Sequence, residues 1–272
     1  TACSAWRATR FAGCGARHQG PAMLRLDDVS KSFGGLHAVA GVSMTVPEGR
    51  IVSLIGPNGA GKTTLFALIS GFLVPDSGRI RFLGVDITGT PPEANCRLGL
   101  ARTFQVVQPF AGLTVRENIA VGAHLHLADR RAALARAEVV ARQVGMARML
   151  DQPADSLTVA GRKRLELARA LATGPKLLLL DEVMAGLNPT EIDEIVPVIR
   201  GLRDSGITVL LIEHVMRAVM RLSEHTYVLS DGRLIASGAP EQVAADPAVI
   251  EAYLGHGAAE QLARSGGADG PA

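Results

Sequence analysis

Residues 51–63 read Ile51-Val52-Ser53-Leu54-Ile55-Gly56-Pro57-Asn58-Gly59-Ala60-Gly61-Lys62-Thr63. A short β-type run gives way to a loop with three glycines, and a lysine and a threonine then open a stretch of helical character over Lys62–Phe72. The pattern is G-x-x-x-x-G-K-[ST], in the strand-before, helix-after setting that its chemistry requires. Glycines let the backbone wrap around phosphate oxygens, successive N–H groups point inward, and the helix N-terminus favours negative charge. Lys62 is thereby expected to reach β- and γ-phosphates, and Thr63 to place its hydroxyl on Mg²⁺.

Strand and helix signals alternate outward from this loop. Met23–Ser30, Val42–Val46 and Arg79–Leu83 read as strands, and 99–105 as extended. Leu113–Leu150 reads as helical. Leu177–Leu180 and Ile207–Ile212 are continuous apolar runs, typical of strands buried on both faces of a parallel sheet. Asn188-Pro189 supplies an N-cap and an N1 proline for a helix through Arg203, and Asp231-Gly232 marks a hairpin turn.

Two of these strands end in chemistry. Leu177-Leu-Leu-Leu-Asp181-Glu182 delivers Asp181 to the carboxyl edge of the sheet, where it can hold a Mg²⁺ shell. Glu182 is one residue further on, positioned to polarise an attacking water. The strand through Leu210-Leu-Ile-Glu-His214 ends at the same edge, with His214 in reach of a γ-phosphate. His37, His225 and His256 read as surface or satisfied side chains. His124-x-His126 lacks a nearby third ligand for a metal.

The chain has 272 residues, 47% of them hydrophobic but only 4% aromatic, which implies an aliphatic core. Uncharged runs such as Thr63–Pro75 and Thr103–Val115 are 13 residues each, and the longest, residues 32–47 with His37 neutral, is 16, against the roughly 20 a spanning helix needs. Residues 1–22 differ from the rest: Arg7, Arg10 and Arg17, no acid, Trp6, Cys3 and Cys14. They read as an extension outside the core, either upstream sequence ahead of a natural start at Met23 or, less favoured, a transit peptide. Without them, 28 basic residues become 25 against 26 acidic ones, so the core carries about −1 and gives no sign of a nucleic-acid partner. Cys96 alone remains, which suits a reducing compartment.

Taken together, these motifs resemble the ATP-binding subunit of an ABC transporter, from Met23 to about His256. The resemblance implies an α/β P-loop NTPase fold, with a RecA-like core of mixed sheet, an antiparallel β subdomain and an inserted helical subdomain. The core would occupy 23–90 and 165–238, the helical subdomain about 91–164, C-terminal helices 239–256, and a tail 257–272. It implies ATP bound by Gly56, Pro57, Asn58, Gly59, Ala60, Gly61, Lys62, Thr63 and Thr64, with Phe33 stacked on adenine. Gln105, in Ala101-Arg-Thr-Phe-Gln105, matches the Q-loop that touches Mg²⁺, beside Thr63 and Asp181. Glu182, His214, Gln105 and Lys62 would be the catalytic set, and Ala185-Gly-Leu-Asn188 falls at the D-loop.

Leu157-Thr158-Val159-Ala160-Gly161 stands where the family signature is Leu-Ser-Gly-Gly-Gln. Thr158 keeps the hydroxyl and Ala160 an N–H for a γ-phosphate. Val159 departs, because a β-branched residue poorly tolerates φ > 0 or close approach. Gly35-Leu-His-Ala-Val, Asp86-Ile-Thr-Gly and Val249-Ile-Glu-Ala-Tyr-Leu-Gly are similar to branched-chain amino-acid importer subunits.

That branch implies a second ATPase subunit, identical or different, with two ATPs sandwiched head to tail. It also implies membrane permeases, an indirect link to a substrate-binding protein, and a peripheral place on the cytoplasmic face of the membrane. Phe110 and Leu113 would either contact a permease or close the helical insert's own core. A lipid or lipopolysaccharide exporter ATPase is the alternative within transport. A DNA or ribosome ATPase is a more distant one, disfavoured by the neutral core and by only 94 residues between Lys62 and Leu157.

Overall fold

A computed structural model describes residues 21–105 and 108–254. The extension expected over 1–22, apart from Pro21 and Ala22, lies outside the described residues. So do Val106, Val107, His256 and the tail.

Strands β1 (Ala22–Phe33) and β2 (Leu36–Pro47) form a hairpin across Gly34-Gly35. In β2, Val42, Met44 and Val46 are buried while Ser43 and Thr45 between them are exposed, the period-two pattern of a sheet with one covered face. With β4 (Ser77–Phe82) and the two-residue β5 (Val85–Asp86) they make a four-stranded antiparallel sheet in the order β2-β1-β4-β5.

The second sheet has six strands in the order β10-β9-β3-β8-β7-β6. Its members are β3 (Ile51–Ile55), β6 (Leu100–Arg102), β7 (Leu177–Asp181), β8 (Thr208–Ile212), β9 (His225–Ser230) and β10 (Arg233–Gly238). All neighbours are parallel except β10, which turns back on β9 through Asp231-Gly232. Every residue of β3, β7 and β8 is buried. Alternate side chains serve different cores: Leu178 and Leu180 join Val209 and Leu211 beneath one face, and Leu177 and Leu179 join Val52 and Leu54 on the other. This two-sided burial is why these strands read as unbroken apolar runs.

Helix α1 (Lys62–Ser70) follows β3 and stops two residues before the expected Phe72, because Gly71 takes a left-handed C-cap at φ 85. After α2 (Pro92–Leu98), the expected helical stretch 113–150 divides into α3 (Val115–Ala123) and α4 (Arg130–Gln143), with a 3-10 turn at Ala147–Met149. Each helix has its own cap, Thr114 in a capping box with Glu117 and Asp129 on Ala132 N–H, so one long helix was never specified. Although β6 falls in the span expected for the helical insert, it hydrogen-bonds to β7 and belongs to the six-stranded sheet.

Helix α5 (Val159–Ala172) leads to β7, and α6 (Pro189–Asp204) begins at Asn188, which forms a capping box with Glu191. The chain closes with α7 (Met216–Leu222), α8 (Pro240–Ala244) and α9 (Pro247–Leu254). Among the described residues, no helix is long and apolar enough to cross a membrane.

Candidate nucleotide site

In an open parallel sheet, ligands sit beyond the carboxyl ends of the strands. Here β3 ends at Ile55, just before Gly56, β7 ends at Asp181, and β8 two residues before His214, with Asp181 opposite Ile212 in register. A cleft of about 690 Å³ opens there, bounded by residues 58–64, Phe33, 35–38, Glu182 and the Asp231-Gly232 turn.

The loop's shape depends on two glycines. A Cβ on Gly56 would lie 2.0 Å from Leu229 O, and one on Gly61 would lie 2.1 Å from Ala38 O. Both clashes are with backbone, so any side chain would displace the loop from β9 or β2. Lys62 folds back along it: its Nζ donates to Gly56 O at 2.7 Å and Pro57 O at 2.8 Å. Burial lowers the Lys62 ammonium's pKa, partly offset by the charges of Glu182 and Asp181. Thr63 and Thr64 line the cleft, as does Phe33, whose ring is 46% exposed with Lys31 Nζ 5.7 Å from its centre. His37, expected to be a surface or satisfied side chain, bonds Ser32 Oγ through Nδ1 at 2.8 Å and also lines the cleft.

Across the cleft, Glu182 occupies the left-handed region at φ 48, a conformation non-glycine residues rarely adopt and functional sites often store. Gln105 Nε2 donates to its Oε2 at 2.7 Å, and Lys163 Nζ from α5 donates to its carbonyl at 2.8 Å. Asp181 is almost fully buried. Its N–H donates to Thr103 Oγ1 at 3.1 Å, and its Oδ2 accepts from Arg102 Nη2 at 2.7 Å. His214 is exposed at the same sheet edge but does not line the cleft. The neighbouring Glu213 is buried, with Oε1 accepting from Met184 N–H at 2.9 Å and Oε2 unpartnered among the described residues. Burial pushes its carboxyl up to about 7, against the pull of the Met184 N–H and the Lys163 charge.

The pentapeptide 157–161 lies elsewhere. Thr158 is the N-cap of α5 and its Oγ1 accepts from Gly161 N–H at 3.2 Å. Val159 is the first helical residue, 61% exposed, and is not among the residues with positive φ. The conformational objection to a valine there is therefore overturned, since the helix start demands no left-handed backbone. Gly161 has a packing reason instead: a Cβ would press to 3.3 Å on Leu157 and 3.4 Å on Thr158 Oγ1. Thr158 and Ala160 are not among the residues lining this chain's own cleft.

Other expectations fall out differently. Phe110 is exposed, with the Arg169 guanidinium 4.4 Å from its ring centre, and Leu113 is half-buried. His124 Nδ1 bonds Leu127 O at 2.9 Å, and no His, Cys, Asp and Glu cluster able to hold a metal occurs among the described residues. Sequence reasoning missed Arg102, Thr103, Lys163 and Glu213. Arg102, Thr103 and Glu213 sit inside motifs singled out above, but nothing local shows their partners.

A glycine loop at the end of an interior parallel strand, with a lysine folded onto it and two acids beyond the next strand but one, defines a P-loop NTPase. The chain belongs to the ABC transporter family: residues 39–185 match the family model described as ABC transporter. Residues 233–259 match a second, described as Branched-chain amino acid ATP-binding cassette transporter. Among similar proteins, the high-affinity branched-chain amino acid transport ATP-binding protein BraF of Pseudomonas aeruginosa is 42% identical over 249 residues, covering 86% of this chain and 98% of its own. The corresponding LivG proteins of Salmonella typhimurium and Escherichia coli are 41% identical over the same length. A nucleotide-free ATP-binding cassette from an ABC transporter superposes with TM-score 0.80 at 33% identity, covering 87% of this chain and all of that one. An ADP-bound cassette gives 0.80 at 34%.

Proposed function

We propose that this chain is the ATP-hydrolysing subunit that powers an ABC importer of branched-chain or related amino acids. The observation that carries the reading is the cleft itself, in which Lys62, the loop residues 58–61 and Glu182 converge on one space. The names of the relatives favour import over the lipid-export and non-transport alternatives.

The donor set fits a magnesium nucleotide. A side chain on Gly56 or Gly61 would displace the loop, Thr63 is exposed beside Lys62, and Asp181 brings a carboxylate to the same edge. Bound Mg²⁺, held by Thr63, Asp181 and Gln105, would neutralise charge on the phosphate oxygens. The chain's own residues do the remainder. Lys62 exchanges its two carbonyl partners for phosphate oxygens, and the N–H groups of Gly59–Thr64 wrap the anion. Phe33 offers a ring face to the base. Glu182, once Gln105 turns from it, accepts the hydrogen of an attacking water, and His214 donates to the γ-phosphate. Thr158 and Ala160 serve a second subunit's ATP, in a head-to-tail dimer docked on permeases at the cytoplasmic face of the membrane.

Co-expression with candidate permeases and a substrate-binding protein tests this reading. ATPase activity in the purified assembly should rise when the binding protein carries a branched-chain amino acid. Failure to co-purify with any permease, or indifference to the loaded binding protein, would overturn it.

A further inference from the structure

The pairing of Arg102 with Asp181 is a poor arrangement for stability alone. Both side chains are nearly fully withdrawn from water, 9% and 3% exposed, where desolvation offsets much of the attraction between them. Arg102 Nε has no partner among the described residues, although buried donors nearly always find one. Its Nη1 reaches Ser70 Oγ only at 3.3 Å. The guanidinium is surrounded by rings, with centres at 5.5 Å (Phe104), 5.9 Å (Phe66) and 6.0 Å (Phe72). An aliphatic side chain of similar length would pack there without leaving an orphaned N–H. What it would lack is a positive charge 2.7 Å from the carboxylate assigned to the metal.

We propose that Arg102 is a resident cation that holds Asp181 while no metal is bound, and that it competes with Mg²⁺ for the same carboxylate. This rests on the reading of Asp181 as a metal-side group. With the site empty, Asp181 would otherwise be a buried carboxylate with no ion-pair partner among the described residues and only the Lys62 charge nearby, so Arg102 keeps the end of β7 formed. When a divalent cation arrives, the guanidinium is like-charged and close, and it raises the metal concentration needed for occupancy. The three rings give Arg102 a place to remain as its hold on Asp181 weakens, because a desolvated cation is attracted to aromatic faces. Arg102 is thus a positioning residue, acting on the metal through Asp181.

A double-mutant cycle with R102M, D181N and the double variant tests this, read first as thermal unfolding without nucleotide and in EDTA. R102M should lower Tm by about 10 °C when residue 181 is Asp, and by much less when it is Asn, which needs no counter-charge. The same drop in both backgrounds would mean that Arg102 acts through packing alone, and would overturn the proposal whatever the protein transports. The second reading is a Mg²⁺ titration of fluorescent ATP-analogue binding to R102M, whose midpoint should fall at least about fivefold. An unchanged or higher midpoint would remove the competition, and R102K should restore wild-type behaviour in both readings.

Discussion

Glu213 converts burial into a measurable pH dependence. Its carboxyl titrates near 7 in the folded protein against 4.5 for the unperturbed group, chiefly because burial disfavours the charged form; the nearby charge of Glu182 adds to the shift. Below 4.5 both folded and unfolded chains hold the proton. Between 4.5 and about 7 the unfolded chain releases it while the folded chain keeps it, so stability falls as pH rises through this window. At about 1.36 kcal/mol per unit, the total loss is ~3 kcal/mol. For a domain of this size that corresponds to about 8 °C in Tm.

The perturbation is E213Q, whose amide oxygen can still accept from Met184 N–H at the 2.9 Å position and which does not titrate. Its own unmatched N–H₂ carries a cost, but one independent of pH. Thermal unfolding of both proteins should be followed from pH 5 to pH 8 at constant ionic strength. Wild type should lose about 6 °C relative to E213Q over that range, with most of the change below pH 7. A difference between the two proteins that stays flat with pH would refute the reasoning, and one that moves in favour of wild type would reverse its sign.

Three further outcomes are expected. E182Q should retain nucleotide binding while steady-state ATP turnover falls by about a hundredfold or more, as befits loss of a group that handles the attacking water's proton. K62A should weaken ATP binding by about ten- to a hundredfold in a fluorescence titration, since charge-assisted contacts to phosphate disappear. T158A removes the cap on Gly161 N–H and should lower Tm by about 3 °C, the equivalent of ~1 kcal/mol, without changing nucleotide affinity at the chain's own cleft.

What the sequence disclosed and what it withheld follow a physical division. The Asn188 cap and the Asp231-Gly232 hairpin are set by neighbours within a few residues, while the loop 56–63 and the strand ending at Asp181 carry recognisable local patterns although their shape depends on distant contacts. The Arg102–Asp181 pair spans 79 positions, and Tyr227 reaches Thr45 across 182; no periodicity encodes such contacts. The sheet-edge argument brought Asp181, Glu182 and His214 to one side of the sheet, yet it could not foresee that Gln105 pairs with Glu182 in this state. The φ > 0 objection to Val159 failed for a different reason. The family's glycines suggested a special backbone, whereas the chain is already helical at that point and the residue's side chain simply projects outward.

That outward projection separates two kinds of accounting. A side chain that the host fold neither grips nor excludes can be exchanged with little effect on how its own chain folds or loads nucleotide. In the proposed head-to-tail dimer, any effect of altering Val159 would then register in a neighbouring subunit's chemistry. In an assembly of two unlike ATPases, one substitution at this position becomes a label for one of two catalytic events per cycle. Pre-steady-state kinetics on such a labelled pair would count the turnovers of each compartment separately, and would reveal whether transport needs both or runs on one.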